Sequence, residues 1–147
     1  MIANFFKITA PGVSMRSKYW RFSYDENALP LIVDSKSLPF PELNFPSAKH
    51  NTKEKVIADL REGSIIILAN FNYFEATGTA RAIGIVKNLQ SDHIDMLWRK
   101  LIPSRNMHPH KIGAEQWKNE NVFCFNLPRA KEFKIDVLAT KYFPESI

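Results

Sequence analysis

The stretch GSIIILANFNYFEATGTARAIGIVKN, residues 63–88, decides the fold. Its first half is nearly all apolar, which predicts a strand that is buried on both faces. Its second half predicts a returning strand over 79–87, in which the small residue Gly84 indicates close approach of another segment or a strong bend. The turn between the two strands carries Tyr73 and Phe74. The stretch therefore predicts a β-hairpin with aromatic side chains at its turn.

The neighbouring segments predict one helix and several further strands. The segment NTKEKVIADLREG predicts a helix that Asn51 or Thr52 caps and that Gly63 ends, with Val56, Ile57 and Leu60 as one apolar stripe. The segment SKYWRFSY alternates with period two and predicts a strand with one aromatic face. Further strands are predicted at 3–9, at 97–104, where Pro103 stops the strand, and at 122–128, and a strand or short helix at 133–143. Residues 25–51 and 105–121 are predicted to be irregular, each with room for one helical turn. This order predicts an α+β fold whose mixed sheet curls into an open barrel flanked by one or two helices.

Length and composition favour a single domain over residues 1–147 with an anionic partner. The chain is 45% hydrophobic and 12% aromatic, and it has a net charge of +5. The positive charge favours nucleic acid as the partner. The single cysteine, Cys124, excludes an intrachain disulfide. No apolar run reaches membrane-spanning length, and the N-terminus lacks a secretory signal pattern, so we expect a cytoplasmic protein with no membrane partner.

Five segments resemble the EVE domain of the PUA-like superfamily: KYWRF, LREGSIIILANF, ARAIGIVKN, LWRKLIP and EQWKNENVFCF. In that family an opening strand carries Tyr-Trp, which corresponds here to Tyr19 and Trp20. A helix then ends in a Gly-Asp-like turn, which here is Gly63 followed by Ser64. A strand of the type Gly-Ile-Gly-x-Val follows, and the next strand carries a tryptophan. Within that family, the five segments most resemble the EVE-like modules of modification-dependent restriction proteins.

The resemblance implies a PUA-like open β-barrel that binds nucleic acid and is not an enzyme. Such domains hold a flipped or single-stranded modified base in an aromatic pocket. The expected base is a methylated or hydroxymethylated cytosine, or a methyladenine, in DNA rather than RNA. A nuclease or another effector domain or subunit is the expected protein partner. We expect no cofactor.

The candidate base-binding residues are aromatic or carry an amide: Trp98, Trp117, Phe71, Tyr73, Asn70 and Asn72. Aromatic rings restore the stacking that a flipped base loses, and an amide offers both a donor and an acceptor to a base edge. The alternative is structural, with the tryptophans filling the ends of the barrel and the asparagines serving the turn. Trp20 is predicted to belong to the core.

The candidate phosphate-binding residues surround the two candidate tryptophans: Arg99, Lys100, Arg105, His110, Lys111 and Lys118. Interleaved basic and aromatic residues are typical of nucleic-acid binding. The alternative is a solvated charged face. His108 and His110 form a His-x-His pair, but no cysteine or clearly placed carboxylate completes a site, so we expect no metal.

Two other classes of function stay open. A small nucleoside amidohydrolase of the related ASCH type would use Lys118 with Glu115 or Glu120. A protein-interaction module would use the proline-rich segment 29–46. Catalysis has little other support, because no nucleophile motif or phosphate-binding loop is present and Cys124, between two phenylalanines, is predicted to be buried and inert.

Overall fold

A computed structural model describes residues 16–38, 53–91 and 93–146, and within them a five-stranded mixed sheet carries helices on both faces. The strands are β1 (Arg16–Phe22), β2 (Ile65–Asn72), β3 (Thr77–Leu89), β4 (Ile94–Met107) and β5 (Val122–Asn126). The helices are α1 (Leu29–Asp34), α2 (Lys53–Asp59), α3 (Lys111–Asn119), α4 (Leu127–Glu132) and α5 (Ile135–Tyr142). The predicted α+β class is confirmed.

The described strands form an open sheet. Their order is β4-β3-β2-β1-β5, and only β1 and β2 run parallel among the neighbouring pairs. These five strands do not close into the predicted barrel, because helices cover both faces and bury the apolar side chains without closure. The strand predicted at 3–9 lies outside the described residues, as do the predicted helix caps at positions 51 and 52.

The central strand β2 is buried on both faces, as its apolar sequence predicts. Ile65 and Ile67 pack in a cluster with side chains of α3, α4 and α5, which we call the α3–α5 face. Ile66 and Leu68 pack with side chains of α1 and α2, which we call the α1–α2 face. All four side chains have no exposed surface. The molecule is thus built in three layers, with the sheet in the middle.

The turn from α2 into β2 follows the predicted stop signal. Gly63 has φ 89°, in the left-handed region that favours glycine. Its N–H donates to the carbonyl oxygen of Val86 at 2.9 Å, which ties the turn to β3. Val56 and Leu60 are buried on the α1–α2 face, whereas Ile57, predicted to share their stripe, is 39% exposed. The helix therefore contributes a narrower apolar stripe than its sequence predicts.

Strand β3 places a glycine under a tryptophan on each face of the sheet. A Cβ atom at Gly78 would lie 2.3 Å from Cζ3 of Trp117, which belongs to the α3–α5 face. A Cβ atom at Gly84 would lie 2.4 Å from Cε3 of Trp98, which belongs to the α1–α2 face. The close approach predicted from the small residues of this strand is confirmed. Each indole lies where only glycine leaves room.

Two predicted boundaries are wrong. Strand β4 passes through Pro103 and continues to Met107, since it stands at an end of the described sheet, where proline is tolerated. Helix α3 occupies nine residues where an irregular segment with one helical turn is predicted. Among the described side chains of this helix, only those of Ala114 and Trp117 are buried. Its sequence therefore shows little of the apolar periodicity that predicts a helix.

Candidate functional site

One end of the sheet carries three neighbouring aromatic side chains, Phe71, Tyr73 and Trp117, which we call the aromatic end. The ring centroids of Phe71 and Tyr73 lie 5.7 Å apart with an interplanar angle of 80°. Those of Phe71 and Trp117 lie 6.1 Å apart. Trp117 is buried, Phe71 is half-buried, and Tyr73 is 65% exposed. Exposure thus rises from the core outwards, and Phe71 and Tyr73 are the members that a ligand can reach.

Trp117 is the enclosed, inner member of the aromatic end. Its ring also contacts three other rings at centroid distances of 5.6 to 6.4 Å: Phe123, Phe125 and Phe133. The crevice that reaches it has a volume of about 20 Å³. That volume holds about one water molecule, so a base does not fit there. Trp117 therefore supports Phe71 from below in this structure.

The guanidinium of Arg21 lies beside Trp117 and is buried. Its Nε donates to the carbonyl oxygen of Ala69 at 2.8 Å, and its Nη1 donates to those of Trp117 and Glu120 at 3.3 and 2.8 Å. Its Cζ lies 4.8 Å from the centroid of the Trp117 ring. One side chain thus joins β1 to β2 and to the C-terminal end of α3.

Arg21 keeps its charge although it is only 2% exposed. Burial lowers the pKa of Arg21 to about 9, which leaves the group protonated at neutral pH. Two of its acceptors lie at the C-terminus of α3, where the helix dipole supplies partial negative charge. Sequence reasoning missed this residue, because an arginine in an alternating strand predicts a solvent-facing side. The signal that could have found it is its position inside the apolar run YWRF.

Asn70 and Asn72 both hold the backbone. Asn70 exchanges two hydrogen bonds with Tyr24, accepting from its N–H at 3.1 Å and donating to its carbonyl at 2.9 Å. Asn72 Oδ1 accepts from the N–H groups of Phe74 and Glu75 at 2.9 and 3.1 Å. Asn70 extends the pairing of β1 with β2, and Asn72 shapes the hairpin turn. In this structure both amides are thus used for backbone contacts, as in the alternative in which the asparagines serve the turn and not a base.

Trp98 does not join the aromatic end. It lies on the α1–α2 face and is 4% exposed, whereas Trp117 lies on the opposite face of the sheet. Its Nε1 donates to the carbonyl oxygen of Ser37 at 3.1 Å. A single pocket lined by both tryptophans is therefore not formed.

No family model, curated protein or solved structure matches this chain. Any proposal about the function of this chain therefore rests on the geometry of the described residues. Within those residues, no helix is long and apolar enough to cross a membrane. The same residues contain no group of three or more His, Cys, Asp or Glu side chains placed to hold a metal ion.

The predicted phosphate-binding residues fall into two groups. Arg99, Lys100 and Arg105 all lie on β4, and the Arg99 guanidinium lies 5.9 Å from the ring of Phe143. The second group lies around α3. There His110 Nε2 lies 2.9 Å from Glu132 Oε2, Lys118 Nζ lies 3.3 Å from Glu115 Oε2, and the backbone of Lys111 begins the helix. The β4 group runs along the strand whose end flanks the hairpin, where Arg105 pairs with Ala80.

A polar cleft of about 510 Å³ lies between α3, β5 and α4, away from Phe71 and Tyr73. Glu115 and Cys124 are among its lining residues. Lys118 and Glu115 lie one turn apart on the exposed side of α3, which is the geometry of an ordinary surface ion pair. Cys124 is half-buried, and its thiol donates to the carbonyl oxygen of Ser17 at 3.2 Å. These contacts give the amidohydrolase hypothesis no specific support.

The segment predicted to serve a protein partner is described only in part. Its first residues form α1, where Leu31 is 74% exposed. Residues 39–46 lie outside the described residues. A single exposed leucine on a six-residue helix is normal for a protein surface and points to no partner.

Proposed function

We propose that this chain is a nucleic-acid-binding module that recognises a modified base at the aromatic end of its sheet. The observation that carries the proposal is the corner formed by Phe71 and Tyr73. Their rings meet at 80°, and the outer ring is 65% exposed. The proposed base is a methylated or hydroxymethylated cytosine, or a methyladenine, and the proposed polymer is DNA.

Two rings that meet nearly at a right angle can contact a flat base on its face and on its edge at the same time. One ring stacks on the face of the base while the other contacts its edge, where a methyl group adds apolar area. Base–aromatic stacking contributes about 1–3 kcal/mol per base. The inner layer supports this corner, because Trp117 packs under Phe71 and is itself held by the guanidinium of Arg21.

In this proposal β4 contacts the phosphates. Arg99, Lys100 and Arg105 follow the strand towards the hairpin, and the chain carries a net charge of +5. Lys118 and His110 contribute less, since each already lies next to a carboxylate. A nuclease or another effector would then act on the nucleic acid that this module holds.

We also propose the EVE-like, PUA-like assignment. What supports it is the order of the matching features along the described chain. Tyr19 and Trp20 lie on β1, α2 ends in the turn at Gly63, and Trp98 lies on β4 against Gly84 of β3. The PUA-like open β-barrel belongs to the same proposal, with the five described strands as its sheet.

The test is fluorescence anisotropy with short DNA and RNA probes, each unmodified or carrying 5-methylcytosine, 5-hydroxymethylcytosine or 6-methyladenine. We expect one modified DNA probe to bind best, and its affinity to fall steeply between about 50 and 200 mM salt. Tyr73→Ala should weaken that probe by about 5- to 150-fold, the equivalent of one stacking contact. Tyr73→Phe, which keeps the ring, should bind within about twofold of the wild type on the same reasoning.

The control is Val137→Ala, which removes a side chain that is 59% exposed on α5, outside the aromatic end and the basic strand β4. This variant should bind like the wild type. Uniform binding of all probes, or an equal loss in Tyr73→Ala and Val137→Ala, would disprove recognition at the aromatic end.

A further inference from the structure

The tip of the hairpin projects one aromatic ring into solvent. Phe74 has a relative exposure of 101%, so its ring contacts no other part of the described molecule appreciably. It follows Tyr73 directly in the chain, and the two rings are carried by the same turn between β2 and β3. One exposed apolar side chain is normal for a protein surface. Phe74 and Tyr73 together expose two adjacent aromatic rings on one turn, and a contiguous apolar patch of this kind marks an interaction site.

The turn that carries Phe74 is held in place by specific contacts. The side-chain oxygen of Asn72 accepts from the N–H groups of Phe74 and Glu75. Thr77 Oγ1 donates to the carbonyl oxygen of Glu75 at 3.0 Å and lies 3.2 Å from His108 Nδ1. Ala76 takes the left-handed conformation at φ 51°. The ring is therefore presented by a defined turn that is anchored to the end of β4.

The surroundings of the ring favour nucleic acid over a protein groove. A protein anchor is normally ringed by further contacts that exclude water, whereas, apart from Tyr73, the neighbours of Phe74 in the turn are small or polar. Bare apolar rings and wedges do enter nucleic acids, where they separate adjacent base pairs. Glu75 is the one charged residue of the turn, and the net charge of +5 outweighs it.

We propose that Phe74 is a wedge that enters a duplex and fills the gap left when the target base moves onto Tyr73 and Phe71. This inference rests on the proposed function and narrows its ligand to a double-stranded substrate. The flipped base and the gap it leaves belong to one nucleotide, so the two tasks need side chains that lie close together, and Tyr73 and Phe74 are consecutive in the chain. Phe74 thereby offsets the loss of stacking that flipping causes.

The experiment compares two probes that carry the best-bound modified base. One is an intact duplex, and the other is the same modified strand alone, in which no gap has to be filled. Phe74→Ala should weaken the duplex by about 5- to 150-fold, the equivalent of one stacking contact, and change the single strand by less than about twofold. Phe74→Trp keeps a flat ring and should retain duplex binding, whereas Phe74→Leu, an apolar wedge without a ring, should bind with an affinity between those of Phe74→Trp and Phe74→Ala.

A second measurement reports flipping itself. A 2-aminopurine placed next to the modified base brightens when its neighbour leaves the stack. We expect this signal with the wild type and Phe74→Trp at protein concentrations that saturate their binding, and with Phe74→Ala only at concentrations about 5- to 150-fold higher. Circular dichroism of each variant checks the fold, which a substitution at a fully exposed position should leave intact.

The outcomes separate this inference from the proposed function. Equal weakening of duplex and single strand by Phe74→Ala would make Phe74 one more stacking surface and overturn the wedge. No change on either probe, with Tyr73→Ala still damaging, would overturn the wedge and leave the proposed function standing. No binding of any probe by the wild type would overturn both.

Discussion

Replacing Gly78 by alanine should destabilise the protein through a single clash with Trp117. The new Cβ atom would lie 2.3, 2.6 and 2.8 Å from three ring atoms of the indole. Carbon atoms rest at about 3.5–4.0 Å from one another, so the ring must retreat by more than about 1 Å. The surrounding rings and the guanidinium of Arg21 oppose that movement.

The expected loss follows from two opposing contributions. Overpacking of this kind costs about 1–3 kcal/mol. Alanine in place of glycine also restricts the unfolded chain, which returns about 0.4–1 kcal/mol. We therefore expect the free energy of unfolding to fall by about 1–2 kcal/mol. The assay is urea denaturation followed by far-UV circular dichroism, with an unchanged m-value as the sign that the denatured state is unaffected.

Two further variants make the test specific to the indole. Trp117→Phe removes part of the ring that Cβ would meet, so Gly78→Ala should cost at least about 1 kcal/mol less in that background. Gly113→Ala is the matched control, since Gly113 lies in the first turn of α3 and its Cβ would meet nothing closer than 3.5 Å. It should stabilise the protein by up to about 1 kcal/mol, because alanine is the better helix former. A cost that stays the same in the Trp117→Phe background would refute the reasoning.

Arg21→Met should lower the free energy of unfolding by about 2 kcal/mol or more in thermal or urea denaturation. Two buried carbonyl oxygens and one partly buried carbonyl oxygen lose their donor. Each buried group left without a partner costs about 1–3 kcal/mol, which exceeds the desolvation cost of the guanidinium charge that the variant removes. A variant as stable as the wild type would show that these bonds contribute nothing. Tyr24→Phe should keep or raise stability by up to about 1 kcal/mol, because the Tyr24 hydroxyl is the one buried side-chain polar atom without a partner in the described residues. Burial raises the pKa of Tyr24 from 10.0 to about 12. The contribution of this protonated hydroxyl to the free energy of unfolding is therefore fully present below pH 10 and is lost as the pH rises through 12. Denaturation midpoints between pH 9 and 12 should therefore fall less in Tyr24→Phe than in the wild type, and parallel curves would contradict this.

The sequence predicts the centre of the fold better than its borders. The unbroken apolar run of β2 and the glycine after α2 are strong local signals, and both elements form where they are predicted. Strand β4 is longer than predicted, because proline, which has no N–H, interrupts a strand only where the ladder needs a donor. The pairing order that places β4 at an end of the described sheet is a long-range property, which no local pattern predicts. Helix α3 was missed because its buried side chains are few and its remaining surface is polar.

The candidate site shows the same limit. Phe71 and Tyr73 are close in sequence and lie together. Trp98 on β4 and Trp117 on α3 lie on opposite faces of the sheet, because long-range packing decides which face α3 covers. No local pattern states which face of a sheet a helix covers. Arg21 was overlooked for a related reason, since its acceptors are backbone carbonyls from two distant segments.

The division of the tryptophans between the two faces has a practical consequence. Trp117 is the only tryptophan on the α3–α5 face, and Trp20 and Trp98 both lie on the α1–α2 face. Intrinsic fluorescence can therefore follow each layer separately without any label. A chain with phenylalanine at positions 20 and 98 reports the opening of the layer that supports the aromatic end, and a chain with phenylalanine at position 117 reports the other. Coincident curves mean that the three layers unfold as one cooperative unit, and separated curves show which layer loosens first.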